Sequence, residues 1–190
     1  MVEAPAAMVN QPDRSPSGPS GSLRAMALEV RQAWPKEYPE AGRITAEAYR
    51  EFVRPGEEPW ERYLEHIADV AGRADRTTIV VAVEDGRILG SATLELEGRV
   101  EEAEDGPLAA VEAHIRMLGV APEARGRGVA RSLMAACEDL AREHGKLVMT
   151  LNTTRRMPAA QRMYAALGYH QGPDRVVDDG FVLLSFSKPL

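Results

Sequence analysis

Apolar and polar positions follow two rhythms along this chain, and the rhythms predict its elements. Ala25–Val30 is a short apolar segment that reads as a first strand. Thr45 suits the cap of a helix whose apolar positions are Ala48, Tyr49, Phe52 and Val53, and Pro55-Gly56 ends it. Pro59 suits a first helical position. Behind it Trp60, Tyr63, Leu64, Ile67 and Ala71 recur at i, i+3, i+4, i+7 and i+11, the stripe of an amphipathic helix. β-Branched residues crowd Thr77–Glu84 and Arg87–Leu96, with the hairpin signal Asp85-Gly86 between them. Ala110–Val120 reads as a further strand. A helix follows from Val129 to His144, with Val129, Leu133, Ala136, Leu140 and Ala141 on its core face. Leu147–Leu151 is a short strand, Met157–Leu167 a helix stopped by Gly168, and Phe181–Ser187 a closing strand. The order is strand, two helices, three strands, helix, strand, helix, strand. It predicts an α/β (α+β) mixed sheet with helices on both faces.

Composition divides the chain in two. Met1–Arg24 interleaves four prolines with serines and offers few large apolar groups to offset ordering entropy, so 1–24 reads as a flexible tail and 25–190 as a single domain. The start has no basic n-region or apolar h-region, and the longest apolar runs, such as Ile79–Val83, are far below a membrane span. A cytoplasmic protein without a membrane partner is the expectation. The net charge of −6 and the 5% aromatic content speak against nucleic acid. The single Cys137 excludes an internal disulfide and any cysteine-only zinc site, and it falls within an apolar helical stretch, so it reads as core. His66, His144 and His170 lack ligand spacing, so no metal is expected. The acidic run Glu95, Glu97, Glu101, Glu102, Glu104 and Asp105 reads as a solvated hairpin end that could attract a cationic amine.

Candidate chemistry concentrates where a strand runs through Leu118-Gly119-Val120 into the turn Arg125-Gly-Arg-Gly-Val-Ala-Arg131. Gly126 and Gly128 precede a helix start, where unpaired N–H groups and partial positive charge can bind phosphate. Arg125, Arg127 and Arg131 add fixed charge to an otherwise acidic protein. There is no Gly-x4-Gly-Lys-Ser/Thr run for a P-loop. The Gly-x-Gly pair is followed by Arg131 where a dinucleotide fold needs glycine. A plain helix start with no ligand stays open on the turn alone.

Two blocks carry a wider resemblance. Arg125-x-x-Gly128-x-Ala130 is similar to the Arg/Gln-x-x-Gly-x-Gly/Ala signature of the GNAT superfamily of N-acetyltransferases, and Leu118-Gly-Val-Ala-Pro122 resembles its strand ending. Ala160-Gln-Arg-Met-Tyr164-Ala-Ala-Leu-Gly-Tyr169 resembles that family's downstream segment. The resemblance covers roughly 76–187 well and is weaker over 25–75. It implies the GNAT-type fold: a central, mostly antiparallel, twisted sheet splayed between two strands.

The resemblance also implies acetyl-CoA as cosubstrate, lying where the strand ending at Val120 parts from the one at Leu147–Asn152. Backbone groups of Leu118, Gly119 and Val120 would meet its pantetheine arm. Those of Gly126, Arg127, Gly128, Val129 and Ala130 would hold the pyrophosphate, with Arg125 and Arg127 side chains, or Arg155 and Arg156, near the outer phosphates. The acceptor would be a primary amine of a small molecule or a protein, attacking directly through a tetrahedral intermediate. Tyr164 stands where the family places a general acid for the leaving thiolate, though a packed helix aromatic would look the same. Some members carry a glutamate six residues before the position of Val120; here that residue is His114, with Glu112 on the same face by strand alternation. Either could take the amine's proton through water. Met157 replaces a frequent cofactor-contacting Asn, and Asn152 or Thr154 could substitute. A homodimer is common among such proteins. A non-catalytic acyl-CoA-binding module is the alternative function.

Overall fold

The computed structural model describes residues 28–54, 56–100, 107–176 and 181–190. The tail at 1–24, the beginning of the expected first strand, and Glu101, Glu102, Glu104 and Asp105 of the acidic run lie outside these residues. The elements run β1 (Glu29–Gln32), α1 (Tyr38–Arg50), α2 (Glu58–Ala68), β2 (Thr78–Glu84), β3 (Arg87–Glu95), β4 (Glu112–Val120), α3 (Val129–Glu143), β5 (Val148–Thr154), α4 (Pro158–Ala166), β6 (His170–Gln171), β7 (Arg175–Val176) and β8 (Val182–Pro189). The order is the expected one, with β6 and β7 added.

The sheet is ordered β1-β2-β3-β4-β5-β8-β6, with β7 also pairing β8. Among the described residues only β4 and β5 pair in parallel, and every other pair is antiparallel. The β2–β3 turn is the expected hairpin. Asp85 and Gly86 both take positive φ, 52° and 74°, as a type I′ turn requires.

Helices pack on both faces at close range. A Cβ on Gly119 of β4 would lie 2.7 Å from Thr45 Cα, so α1 presses directly on that face. On the other face a Cβ on Gly90 of β3 would meet Leu133 Cδ1 of α3 at 3.1 Å. The main core joins Ala113, Ile115, Met149 and Leu151 of the central strands to Leu133, Met134 and Cys137 of α3. Each such aliphatic side chain contributes about 1.5–3 kcal/mol by leaving water. A smaller cluster of Ala46, Leu64, Ile67 and Met117 lies under α1 and α2.

The helix ends explain two departures from the sequence reading. α1 starts at Tyr38, not at Thr45, because Pro39 sits in its first turn, where a missing N–H costs nothing. Thr45 is interior, buried, and donates from Oγ1 to Ala41 O at 2.8 Å. α2 ends at Ala68, and Arg73 serves its last turn: the guanidinium donates to the carbonyls of His66, Ile67 and Asp69 and to Thr93 Oγ1.

Candidate active site

The parallel ladder between β4 and β5 is short. It runs from Glu112 opposite Val148 to Ile115 opposite Leu151 and ends there. Beyond that point β4 stays on β3 and β5 stays on β8, so the two strands part. A bulge accompanies the parting. Between the Ser91–Gly119 and Thr93–Arg116 pairs, β4 spends one residue more than β3. Met117 takes φ 50°, a left-handed conformation uncommon for a side chain of its size. The extra residue inverts the alternation. Met117 joins the cluster under α1 and α2, and Leu118 and Val120 turn to the main core. Ala121 N–H bonds Leu89 O at 2.9 Å, so by antiparallel alternation the neighbouring Val120 directs its own N–H and C=O into the gap. The gap therefore has a wall of backbone donors and acceptors along β4.

The glycine turn follows β4 and leads into α3. Gly126 and Gly128 have φ 74° and 84°, and a Cβ at either would meet nothing within 4 Å. Backbone geometry, not crowding, calls for glycine here, and the space over the turn is open. Gly128 caps α3, whose first N–H groups, from Val129 onward, have no intrahelical acceptor. These features fit the phosphate cradle expected of Gly126 to Ala130. The arginine side chains are engaged elsewhere. Arg125 pairs with Glu51 at 2.8 Å and Arg127 with Glu84 at 2.7 Å, both at the surface. Arg155 pairs with Asp174, while Arg156 holds Glu57 at 2.7 Å and Phe52 O at 3.0 Å. Gly119 has a packing reason of its own in its contact with Thr45.

At the narrow end Tyr164 projects from α4 into the core. It is 6% exposed, with its ring 5.8 Å from Phe186 and 6.1 Å from Tyr169. Phe186 is the β8 partner of Leu151, so Tyr164 stands beside the apex of the gap. Burial pushes its phenol up to about 12. The phenol is therefore protonated across neutral pH. Burial likewise raises the phenol of Tyr49 on α1 well above its ordinary value.

Across the sheet from that core lies a polar cluster. Thr150 Oγ1 donates to Glu112 Oε1 at 2.6 Å, and His114 Nδ1 lies 2.7 Å from the same hydroxyl. Arg99 Nη2 reaches Glu112 at 3.3 Å. Asn152, the first β5 residue past the apex, accepts from Ser185 Oγ at 3.0 Å. Glu112, His114, Thr150 and Asn152 line a cavity of about 280 Å³, together with Arg99 and Arg175. Glu95 corrects the reading of the acidic run as solvated: it is fully buried, accepts the Val100 N–H at 2.8 Å, and lies 3.6 Å from both Arg99 and Arg116. The structure thus brings Glu112 and His114 together, as alternation predicted, and adds Thr150, Glu95, Arg99 and Arg116. Sequence could not supply Thr150, because the register of the parallel β4–β5 pair is invisible to it. Met157 packs at the head of α4 against Thr153 Oγ1, which donates to its sulfur at 3.6 Å. Among the described residues no group of three or more His, Cys, Asp or Glu could hold a metal ion. No described helix is long and apolar enough to cross a membrane.

Known proteins share this architecture. A family model for the acetyltransferase (GNAT) family matches residues 38–169. No curated protein matches the chain. Among solved structures, a GNAT-family protein from Desulfovibrio desulfuricans aligns with TM-score 0.65 at 19% identity, over 86% of this chain and 99% of that one. The ribosomal-protein-alanine N-acetyltransferase of Brucella melitensis aligns with TM-score 0.61 at 22% identity, over 86% and 100%. The protein yncA of Salmonella typhimurium, solved with its cofactor acetyl-CoA, aligns with TM-score 0.61 at 20% identity, over 86% and 94%.

Proposed function

The chain belongs to the acetyltransferase (GNAT) family, and from that premise we propose that it transfers an acetyl group from acetyl-CoA to a primary amine. One observation carries the reading. β4 and β5 stop pairing after Ile115 and Leu151, so the strand that leads to the open glycine turn separates from the strand whose Leu151 is paired with Phe186, the residue against which Tyr164 packs.

The turn's N–H groups at Gly126 to Ala130 would hold the pyrophosphate, and the backbone of Leu118, Gly119 and Val120 the pantetheine arm. Acetyl-CoA supplies the activated acetyl thioester. The chain's own groups do the rest. A backbone N–H of β4 beside the bulge stabilises the developing oxyanion, a contribution on the order of 3 kcal/mol for one preorganised donor. Tyr164 gives its proton to the leaving thiolate. The acceptor enters as an ammonium whose ordinary pKa is near ~10.4, so it must lose a proton before it attacks. His114 or Glu112 takes that proton, directly or through one water. Asn152 stands at the edge where the strands part and would make the cofactor contact that Met157 lacks.

The test is free-thiol release from acetyl-CoA over a panel of amines, alongside thermal stability with CoA. Turnover that requires an amine supports the proposal. Stabilisation by CoA with no turnover on any amine would make the chain a binding module instead. Tyr164→Phe keeps the ring against Phe186 and Tyr169 and removes only the donor. Its kcat is expected to fall about 100-fold, with the CoA-induced stabilisation unchanged. Undiminished kcat would remove Tyr164 from the chemistry.

A further inference from the structure

Thr150 touches both candidate bases. Its hydroxyl carries a single proton and lies 2.6 Å from Glu112 Oε1, 2.7 Å from His114 Nδ1 and 3.3 Å from the Ala113 carbonyl oxygen. A carboxylate only accepts hydrogen bonds, and 2.6 Å is the short distance of a charge-assisted O–H···O⁻ bond. The Thr150 proton is therefore committed to Glu112. What remains for His114 is the lone pair of the Thr150 oxygen, so Nδ1 must be the donor. A neutral ring that donates from Nδ1 keeps its lone pair on Nε2.

We propose that Thr150 is a positioning residue for acetyl transfer: clamped between Glu112 and His114, it holds the imidazole in its Nδ1–H tautomer and makes Nε2 the atom that receives the amine's proton. The proposal rests on the acetyltransferase reading above and settles the choice between the two bases. In the step, the N–H bond of the substrate ammonium breaks and an Nε2–H bond forms, leaving a neutral amine and an imidazolium. The positive charge is met through the Nδ1–H···Oγ–H···Oε1 chain, with Glu112 as the distant counter-charge. The proton later passes to solvent from Nε2 and the ring returns to its starting form.

The surroundings bear on the ring's titration. Glu95 of β3 is the cross-strand partner of His114. Arg99 follows β3, and Glu112 and Arg116 share β4 with the ring. Arg175 of β7 lines the same cavity. Tyr49, Tyr63 and His66 stand on α1 and α2, and α1 packs on β4. Glu112 is the acid that the clamp couples to the ring. Cutting that link withdraws stabilisation from the imidazolium and moves its titration to lower pH.

Two measurements test this. The first needs no activity. Long-range ¹H–¹⁵N correlation spectra of the neutral rings, with His114→Asn identifying the resonance, are expected to show His114 protonated at Nδ1. A His114 protonated at Nε2 in the unmodified protein overturns the proposal, whatever the protein does to amines. The second is the pH dependence of turnover in Thr150→Val and Thr150→Ser. Thr150→Val is expected to lower kcat at least tenfold with KM for acetyl-CoA within about twofold, and to shift the acid limb of kcat/KM to lower pH. Thr150→Ser, which keeps the hydroxyl, is expected to restore both. An unmoved acid limb in Thr150→Val, with the thermal transition intact, also overturns the role. If no amine supports turnover in the unmodified protein, the acetyl-transfer reading fails by itself, and the tautomer spectrum still decides the clamp.

Discussion

Burial raises the proton affinity of both Tyr164 and Cys137, with different consequences. Tyr164 stands beside the apex of the β4–β5 gap, where its phenol is protonated at neutral pH. Cys137 lies in the middle of α3 with no exposure, and burial pushes its thiol up to about 12. A thiol reacts as its thiolate, so Cys137 is inert in the folded protein. Labelling by an aromatic disulfide reagent at neutral pH is expected to wait on unfolding, becoming fast only in denaturant. Rapid stoichiometric labelling of the native protein would reopen a covalent acetyl-cysteine route. The reading of Cys137 as core came from its apolar helical setting and needed no coordinates. The role of Thr150 was not legible at all, because a threonine on a half-buried strand looks the same with or without a histidine beside it.

At the scale of elements, two glycines do different work. Gly119 has no positive φ, yet a Cβ there would press into the backbone of α1, 2.7 Å from Thr45 Cα. Gly128 has open space and φ 84°. Gly119→Ala is expected to lower stability by about 2–3 kcal/mol, because a backbone contact cannot rotate away. Gly128→Ala is expected to cost about 1–2 kcal/mol in strain and to weaken CoA binding more than Gly119→Ala does. Denaturant melts together with CoA titrations separate the two. Undiminished CoA affinity in Gly128→Ala would mean the turn is not the phosphate cradle. The bulge belongs to this scale too. Strict alternation along Glu112–Val120 places Met117 with the main core, whereas the extra residue turns it to the α1–α2 side. The bulge shows in the sequence only as the adjacent apolar pair Met117-Leu118, which a strand covered on both faces carries equally, so the inversion could not be read in advance.

Over the whole molecule, ion pairs join segments far apart in the chain. Arg156, between β5 and α4, holds Glu57 at the head of α2 and draws its carboxyl down to about 2 from an ordinary 4.5. Arg31 lowers Glu37 and Arg43 lowers Glu40 in the same way. A carboxylate whose folded pKa lies below its unfolded one adds stability that is present above the unfolded value and is lost as pH falls through the folded one. The midpoint of thermal unfolding is thus expected to hold steady from about pH 8 to about 5 as far as these groups decide it, and to fall from about 4.5 downward. Glu57→Gln should soften the decline toward the acid end. A loss beginning near pH 6 would assign acid sensitivity to the histidines instead.

The amino-acid pattern by itself determined the order of the long elements, the β2–β3 turn, the helix start at Val129 and the family blocks around Arg125–Ala130 and Tyr164. Each of these is local: periodicity, a Gly position and a motif all act over a few consecutive residues. Two-residue strands such as β6 and β7 are too short to show alternation. Pro39 reads equally as a breaker or as a first-turn residue until α1 packs. Tertiary structure alone decided where β4 and β5 stop pairing, and hence where the gap opens. It also buried Glu95 and brought Thr150 of β5 between Glu112 and His114 of β4. Those outcomes depend on the register of a parallel pair joined through α3. That register is set by how the helix packs across the sheet, not by any stretch of neighbouring residues.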